Sequence, residues 1–183
     1  MPRNKTMLTL MCGLARCGKS TWIKQNKGDA VVVCPDTIRS EILGHQFHKS
    51  AEDFVWAIAK SMVRILLDQK KSVIIDATNL TFFSRGDWIR IANEYGAKVR
   101  IVWIKTSIRE CKRRNRKSTK GNKLPSEVID RMASVFENPY YGKEKGKPRI
   151  ELIELPRNKA GRLKDDLLDN YYQAEAVERG RFK

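Results

Sequence analysis

The chain has 183 residues, 41% of them apolar and 32% charged, enough for one domain whose core needs no disulfide or metal staple. Lys and Arg number 37 against 21 Asp and Glu, a net charge of +16. That surplus excludes a neutral surface and points to a polyanionic partner: nucleic acid, anionic membrane or a phosphorylated substrate. No apolar run is long enough to span a bilayer, so no transmembrane helix is expected, and among these partners nucleic acid rather than membrane is the expectation.

Residues 6–12 form a short apolar run without helical spacing and read as a buried strand ended by Gly13. A short helix is predicted over 21–27. Residues 30–34, rich in Val, read as a second buried strand, with Pro35 and Asp36 at its end. Ser50 is predicted to cap the next helix with Asp53 at its third position, and Phe54, Ile58, Met62, Ile65 and Leu66 share one face. A third strand covers 72–76. A helix over 81–95 is closed by Gly96, and a fourth strand covers 99–104. Ser107 and Glu110 form a second capping box, opening a very basic helix. Pro125 sits in the first turn of another helix, and 150–155 is a fifth strand. Strands alternate with helices throughout, so the expected fold is α/β with a mostly parallel sheet of about five strands between helical layers. Leu163, Leu167, Leu168, Tyr171 and Tyr172 predict a helical tail over 157–183 rather than a separate domain.

The four cysteines (Cys12, Cys17, Cys34, Cys111) contain no C-x-x-C, and His45 and His48 are the only histidines. No structural zinc is expected, and a reducing, cytoplasmic setting is the simpler reading. Arg3, Lys5 and the apolar residues 7–11 imitate a secretory leader, but the strand reading explains them better.

Gly13-Leu-Ala-Arg-Cys-Gly18-Lys19-Ser20 fits G-x-x-x-x-G-K-S/T without a mismatch, after a predicted strand and before a predicted helix. The glycines let successive N–H groups turn inward as an anion nest, and the following helix adds its positive end. Lys19 reaches β- and γ-phosphates in such a loop, and Ser20 ligates Mg²⁺. The expected nucleotide-binding set is Gly13, Arg16, Cys17, Gly18, Lys19, Ser20 and Thr21, with ATP and Mg²⁺ as cofactors. The motif does not separate a kinase from an ATPase or GTPase.

Asp36 follows the carboxyl end of the second strand, on the edge where the loop opens. A carboxylate there can take a proton from an acceptor hydroxyl, and Arg39 on the same helical face can hold an anionic group. The alternative is a helix cap beside a solvated arginine. Asp76 ends the third strand, where an acidic residue stands near Mg²⁺; Thr78 and Asn79 follow it, and the alternative is an Asx turn. Between Lys105 and Lys123 nine Lys or Arg face only Glu110. This stretch reads as a lid over about 110–124 that brings an arginine to the transferring phosphoryl and cations to a phosphodiester backbone.

Gly18-Lys-Ser-Thr-Trp22, Asp36-Thr-Ile-Arg39, Asp76-Ala-Thr-Asn-Leu80, Ala92-Asn-Glu-Tyr-Gly96 and Lys112-Arg-Arg-Asn115 before Leu124-Pro125, in this order, resemble the kinase domain of the bacteriophage-type 5′-hydroxyl polynucleotide kinases. The resemblance covers roughly residues 6–140. It implies an adenylate-kinase-like P-loop domain over 1–156 that transfers the γ-phosphate of ATP to a 5′-OH end of DNA or RNA. Asp36 would be the general base, and Arg39 would contact the substrate phosphate. Lys19, Arg114 and Arg116 join the catalytic set. Asp76, Thr78, Asn79 and Arg85 fall in the acceptor set, with Ser20 and Asp76 at the metal. The family's second lid arginine falls on Ser118, and Arg116, Lys117 or Lys120 stand nearby to replace it. No D-x-D-x-T phosphatase motif occurs in 141–183. Phe136-Glu-Asn-Pro139 before the last strand is similar to a wider group of P-loop kinases acting on small metabolites, nucleotide-sugars or aminoacyl-tRNA. A small-metabolite kinase is therefore the alternative, and a nucleic-acid-binding protein with a regulatory nucleotide site a third reading. Trp22, Phe47, Phe82 and Phe83 are candidates to stack on an end base. A homo-oligomer is left open.

Overall fold

Every apolar run predicted as a strand is one. The computed structural model describes residues 6–44, 48–119, 123–141 and 148–154. The strands are β1 (Met7–Cys12), β2 (Val31–Val33), β3 (Val73–Ile75), β4 (Lys98–Lys105) and β5 (Arg149–Glu154). The helices are α1 (Lys19–Asn26), α2 (Pro35–Leu43), α3 (Glu52–Asp68), α4 (Phe82–Glu94), α5 (Ile108–Arg116) and α6 (Ser126–Ser134). The sheet has the order β2-β3-β1-β4-β5 and is parallel throughout. Leu10 pairs with Ile75 on one side and Ile101 on the other, all three fully buried. The central strand β1 has no wet face, which is why it reads as an unbroken apolar run.

The topology fixes where a ligand can bind. The crossover from β1 to β2 runs one way and that from β3 to β4 the other, so right-handed connections place α1 and α4 on opposite faces. Between β1 and β3 the loops part and leave a crevice at the carboxyl ends of the strands. The loop after β1 carries Gly13 to Gly18, and the loop after β3 carries Asp76 to Asn79.

Several local expectations are corrected. Helix α1 starts at Lys19, two residues before the predicted start, because Gly18 is itself its N-cap and the glycine loop runs directly into the helix. Ser50 does not cap α3. A 3₁₀ turn over Lys49–Ala51 precedes the helix, Ala51 takes the cap position without a side-chain bond, and the Ser50 hydroxyl pairs with His48 instead. The buried row of α3 is Val55, Ala59, Val63 and Leu67, not the predicted row; Phe54 and Ile65 are 53% and 59% exposed. The helix has two apolar rows, and the slimmer one lets its backbone approach the Val- and Ile-lined sheet. Pro125 caps α6 from just outside rather than sitting in its first turn. Glu110 answers only half of its predicted box: its N–H donates to Ser107, but its carboxylate turns to Arg113 and Arg114. Thr81 and Ser84 form a capping box at α4, and Gly96 follows its end at φ 66°, as its position predicts. The tail over 157–183, Phe47 and Lys120 lie outside the described residues.

Candidate active site

Gly13 and Gly18 have φ of 141° and 119°, where side-chain-bearing residues are strained. A Cβ on Gly13 would lie 2.8 Å from the Ile104 carbonyl oxygen and 2.9 Å from Cys17 Sγ. Only glycine lets the loop pass under β4 at that point. Lys19 arches back over the loop, its Nζ donating to the carbonyls of Gly13 (3.1 Å) and Leu14 (2.9 Å). Ser20 and Thr21 stand exposed in the first turn of α1, at its positive end. A glycine cradle, a lysine folded over it and a helix N-terminus behind it fit a polyphosphate.

Ser20 Oγ donates to Asp76 Oδ2 at 3.3 Å. Burial pushes the Asp76 carboxyl above its ordinary range, the Lys19 charge and the Ser20 bond pull it down, and the charge of Asp36 pushes it up again. A hydroxyl and a carboxylate are hard oxygen donors, which suits Mg²⁺ with phosphates completing its shell. Among the described residues no cluster of three or more His, Cys, Asp or Glu could hold a metal alone.

Asp36 lies in the first turn of α2, with Cys34 as the cap and Pro35 at the first helical position, so it does not cap the helix. Its side chain is 88% exposed, and Arg39 NH1 donates to it. The rest of the Arg39 fork is occupied by Glu52 of α3: Nε and NH2 each lie 2.6 Å from its carboxylate oxygens. These bonds hold Glu52 below the usual carboxylate range and raise the Arg39 guanidinium further. Sequence reading missed Glu52. It lies 13 residues from Arg39, and only the packing of α2 on α3 brings them together.

Two acceptor-set side chains, Asn79 and Arg85, make internal bonds around the loop after β3. The Thr78 carbonyl accepts from the Gly13 N–H at 3.0 Å, tying the two crevice loops together. Asn79 turns inward at φ 43°: its amide donates to the Met11 carbonyl (2.7 Å) and its Oδ1 accepts from Trp88 Nε1 (3.2 Å). Arg85 is 0% exposed, with NH1 on the Asn79 carbonyl (2.9 Å) and its guanidinium 4.9 Å from the centre of the Phe82 ring. Burial commits both side chains to these bonds, which brace the loop that carries Asp76 and Thr78. Asn79→Ala is expected to destabilise the chain by about 3 kcal/mol in a urea titration. It strands two buried hydrogen-bonding groups and puts a Cβ-bearing residue without a local bond at positive φ.

On α5, Arg114 reaches the phosphate loop. Its NH1 donates to the carbonyls of Cys17 (2.9 Å) and Arg16 (3.3 Å), and its Nε to Glu110 (2.7 Å). The Thr106 hydroxyl, unnoticed in the sequence, holds the same Cys17 carbonyl at 2.8 Å. Arg116 is exposed at the end of α5. Lys112 is neutralised by Asp130 of α6 at 2.6 Å, so the basic stretch meets more than Glu110. Asn115 clasps Leu124 through two bonds, to its carbonyl at 2.6 Å and from its N–H at 3.0 Å, tying α5 to the residues just before α6. Arg113 and then Arg114 hold Glu110 at a pKa of about 2, from an ordinary 4.5. A depressed carboxylate stabilises the fold above its unfolded pKa and loses that effect as pH falls through its folded value. The melting temperature is therefore expected to drop more steeply between pH 4.5 and 2 in the native chain than in Glu110→Gln.

Of the candidate stacking aromatics, Trp22 is buried with Arg100 over its ring, and Phe82 lies under Arg85. Phe83 is 82% exposed. The four cysteines are free thiols, and burial pushes Cys12 and Cys111 up to about 12. No helix among the described residues is long and apolar enough to cross a membrane.

A family model described as an AAA domain matches residues 8–139. The L-seryl-tRNA(Sec) kinase of Methanococcus maripaludis is 29% identical over 140 residues, covering 73% of this chain and 53% of that protein. A chain in the structure of the Pnkp1/Rnl/Hen1 RNA repair complex superposes with a TM-score of 0.64 at 23% identity, over 74% of this chain and 46% of its own. A gluconokinase from Sinorhizobium meliloti 1021 superposes with a TM-score of 0.57 at 16% identity, over 98% and 99% of the two chains. The chain thus spans about half the length of the first two, and the structural likenesses show the P-loop kinase fold.

Proposed function

The chain belongs to the AAA domain family (AAA_33) of P-loop proteins, and from that premise we propose that it is an ATP-dependent kinase acting on the 5′-hydroxyl end of DNA or RNA. The observation that carries the reading is the Asp36–Arg39 pair, held by Glu52 at the mouth of the crevice and close enough for the Asp36 charge to act on Asp76. An ATPase needs no carboxylate–guanidinium pair set to receive a second substrate. The net charge of +16 and the exposed Arg109, Arg116, Lys117 and Lys123 favour a polyanionic acceptor. A seryl-tRNA kinase and a chain of an RNA repair complex among the similar proteins support an RNA-borne hydroxyl.

In this reading Lys19 and the loop N–H groups hold the β- and γ-phosphates, and Ser20 and Asp76 hold Mg²⁺. When bound, the ion neutralises charge gathering on the phosphate oxygens. Asp36 accepts the proton of the acceptor hydroxyl. That oxygen forms a bond to the γ-phosphorus, the bond from phosphorus to the β–γ bridging oxygen breaks, and its electron pair leaves with ADP. Arg39 steadies Asp36 and faces the acceptor's backbone phosphate. Arg114 spans lid and loop beside the transferring group.

A small-metabolite kinase is the second reading, favoured by the gluconokinase match over nearly the whole length of both chains. The test is transfer of labelled γ-phosphate to 5′-OH DNA, 5′-OH RNA, seryl-tRNA and gluconate, with a 5′-phosphorylated strand as control. Label on the 5′-OH strands alone is the expected result. Label on gluconate or seryl-tRNA alone replaces the proposal with that acceptor.

A further inference from the structure

A cavity of about 440 Å³ opens between α3, residues 78–81 and α4. It adjoins the site described above on two sides. Thr78, on its wall, accepts from the Gly13 N–H of the phosphate loop. Trp56, also on its wall, shares a side-chain hydrogen bond with Glu52, the residue that holds Arg39 and through it Asp36. The cavity thus shares its wall with residues bonded to Gly13 and to Glu52.

Its walls are aromatic and stiff. Trp88 is fixed by its bond to Asn79, and the Trp56 and Trp88 rings lie 6.4 Å apart at 54°. Phe83 presents its ring to solvent at the rim, 82% exposed, an arrangement with no packing role to explain it. Its charged lining is mixed: Asp53 is exposed, Lys60 is a cation of the same wall, and Asp87 is held by that Lys60 at 2.6 Å and by Arg90 at 3.3 Å. Lys60, then Arg90, keep Asp87 below the usual carboxylate range, so it stays ionised and can only accept hydrogen bonds.

We propose that this cavity takes the terminal nucleobase of the acceptor, with Phe83 as its stacking face and Asp53 favouring guanine. Guanine presents two adjacent N–H donors, at N1 and N2, to a carboxylate; uracil presents a single N–H between two carbonyl oxygens that a carboxylate repels. The inference rests on the polynucleotide reading above and adds a base preference that a backbone-reading kinase would lack.

The test uses four oligonucleotides that differ only in the 5′-terminal base (guanine, hypoxanthine, adenine, uracil), each with a 5′-OH, and compares kcat/KM. Guanine is expected to exceed uracil by about tenfold, with hypoxanthine, which lacks the N2 donors, in between. Asp53→Asn is expected to flatten the series. Phe83→Ala, an exposed position, is expected to lower kcat/KM about tenfold on all four ends through KM. Equal rates on all ends from a working kinase, with Phe83→Ala unchanged, overturn the cavity's role and leave the kinase reading standing. No transfer to any end overturns both.

Discussion

Asp36→Asn is expected to lower phosphoryl transfer by about 10²–10⁴-fold while leaving nucleotide binding intact. The substitution keeps the shape of the side chain and an oxygen for Arg39 NH1, so the Arg39–Glu52 fork has no reason to move. What it removes is the basic oxygen to which the proposed function gives the acceptor proton. Asp36 touches none of the residues that cradle phosphate; Lys19 bonds the loop carbonyls and Ser20 bonds Asp76. The loss should therefore fall on kcat, read in a single-turnover assay beside an ATP-binding titration. A fully active variant removes Asp36 from the role of base. A variant that loses ATP affinity and rate together makes it part of the donor site instead.

The pair at the heart of that prediction also marks how far the chain's text could be read. Asp36 and Arg39 were legible because both lie within one helical turn of a strand end, where spacing alone dictates that they meet. The glycine loop was legible for the same reason: Gly13 and Gly18 act through backbone geometry, and the Lys19 side chain folds back over them, all within eight residues. Glu52 was not, because its partner lies across a helix boundary and no local rule connects them. Periodicity located α3 but misassigned its face, since two apolar rows satisfy the same spacing and only the sheet decides which one fits against it. Arg85 inverts the usual expectation for an arginine. Hydropathy places it outside, yet the left-handed turn at Asn79 exposes a carbonyl beneath the surface, and the Arg85 guanidinium meets it there. Residues whose work is to brace the site look in sequence like residues that touch the ligand.

The same distinction governs the proposed lid, where nine cations are candidates for one role. Arg114→Ala is expected to reduce kcat by about 10²–10³-fold, the loss that follows removal of one fixed donor at developing charge. Arg116→Ala is expected to leave kcat near its native value. Both residues lie in the last turn of α5, but only Arg114 is anchored at two ends, by Glu110 on its own helix and by the carbonyls of Arg16 and Cys17 in the phosphate loop. Its guanidinium is already positioned over the loop, so little reorganisation stands between the resting chain and a bound polyphosphate. Ser118, at the spacing of the family's second lid arginine, donates its hydroxyl to the Arg114 carbonyl and supports the helix end rather than supplying charge. Arg114→Lys should not restore the rate, because a single ammonium cannot hold Glu110 and the loop at once. Measuring kcat for Arg114→Ala, Arg114→Lys and Arg116→Ala side by side decides the matter: a crippled Arg116→Ala beside an active Arg114→Ala would transfer the clamp to Arg116 and make the Arg114 contacts purely structural.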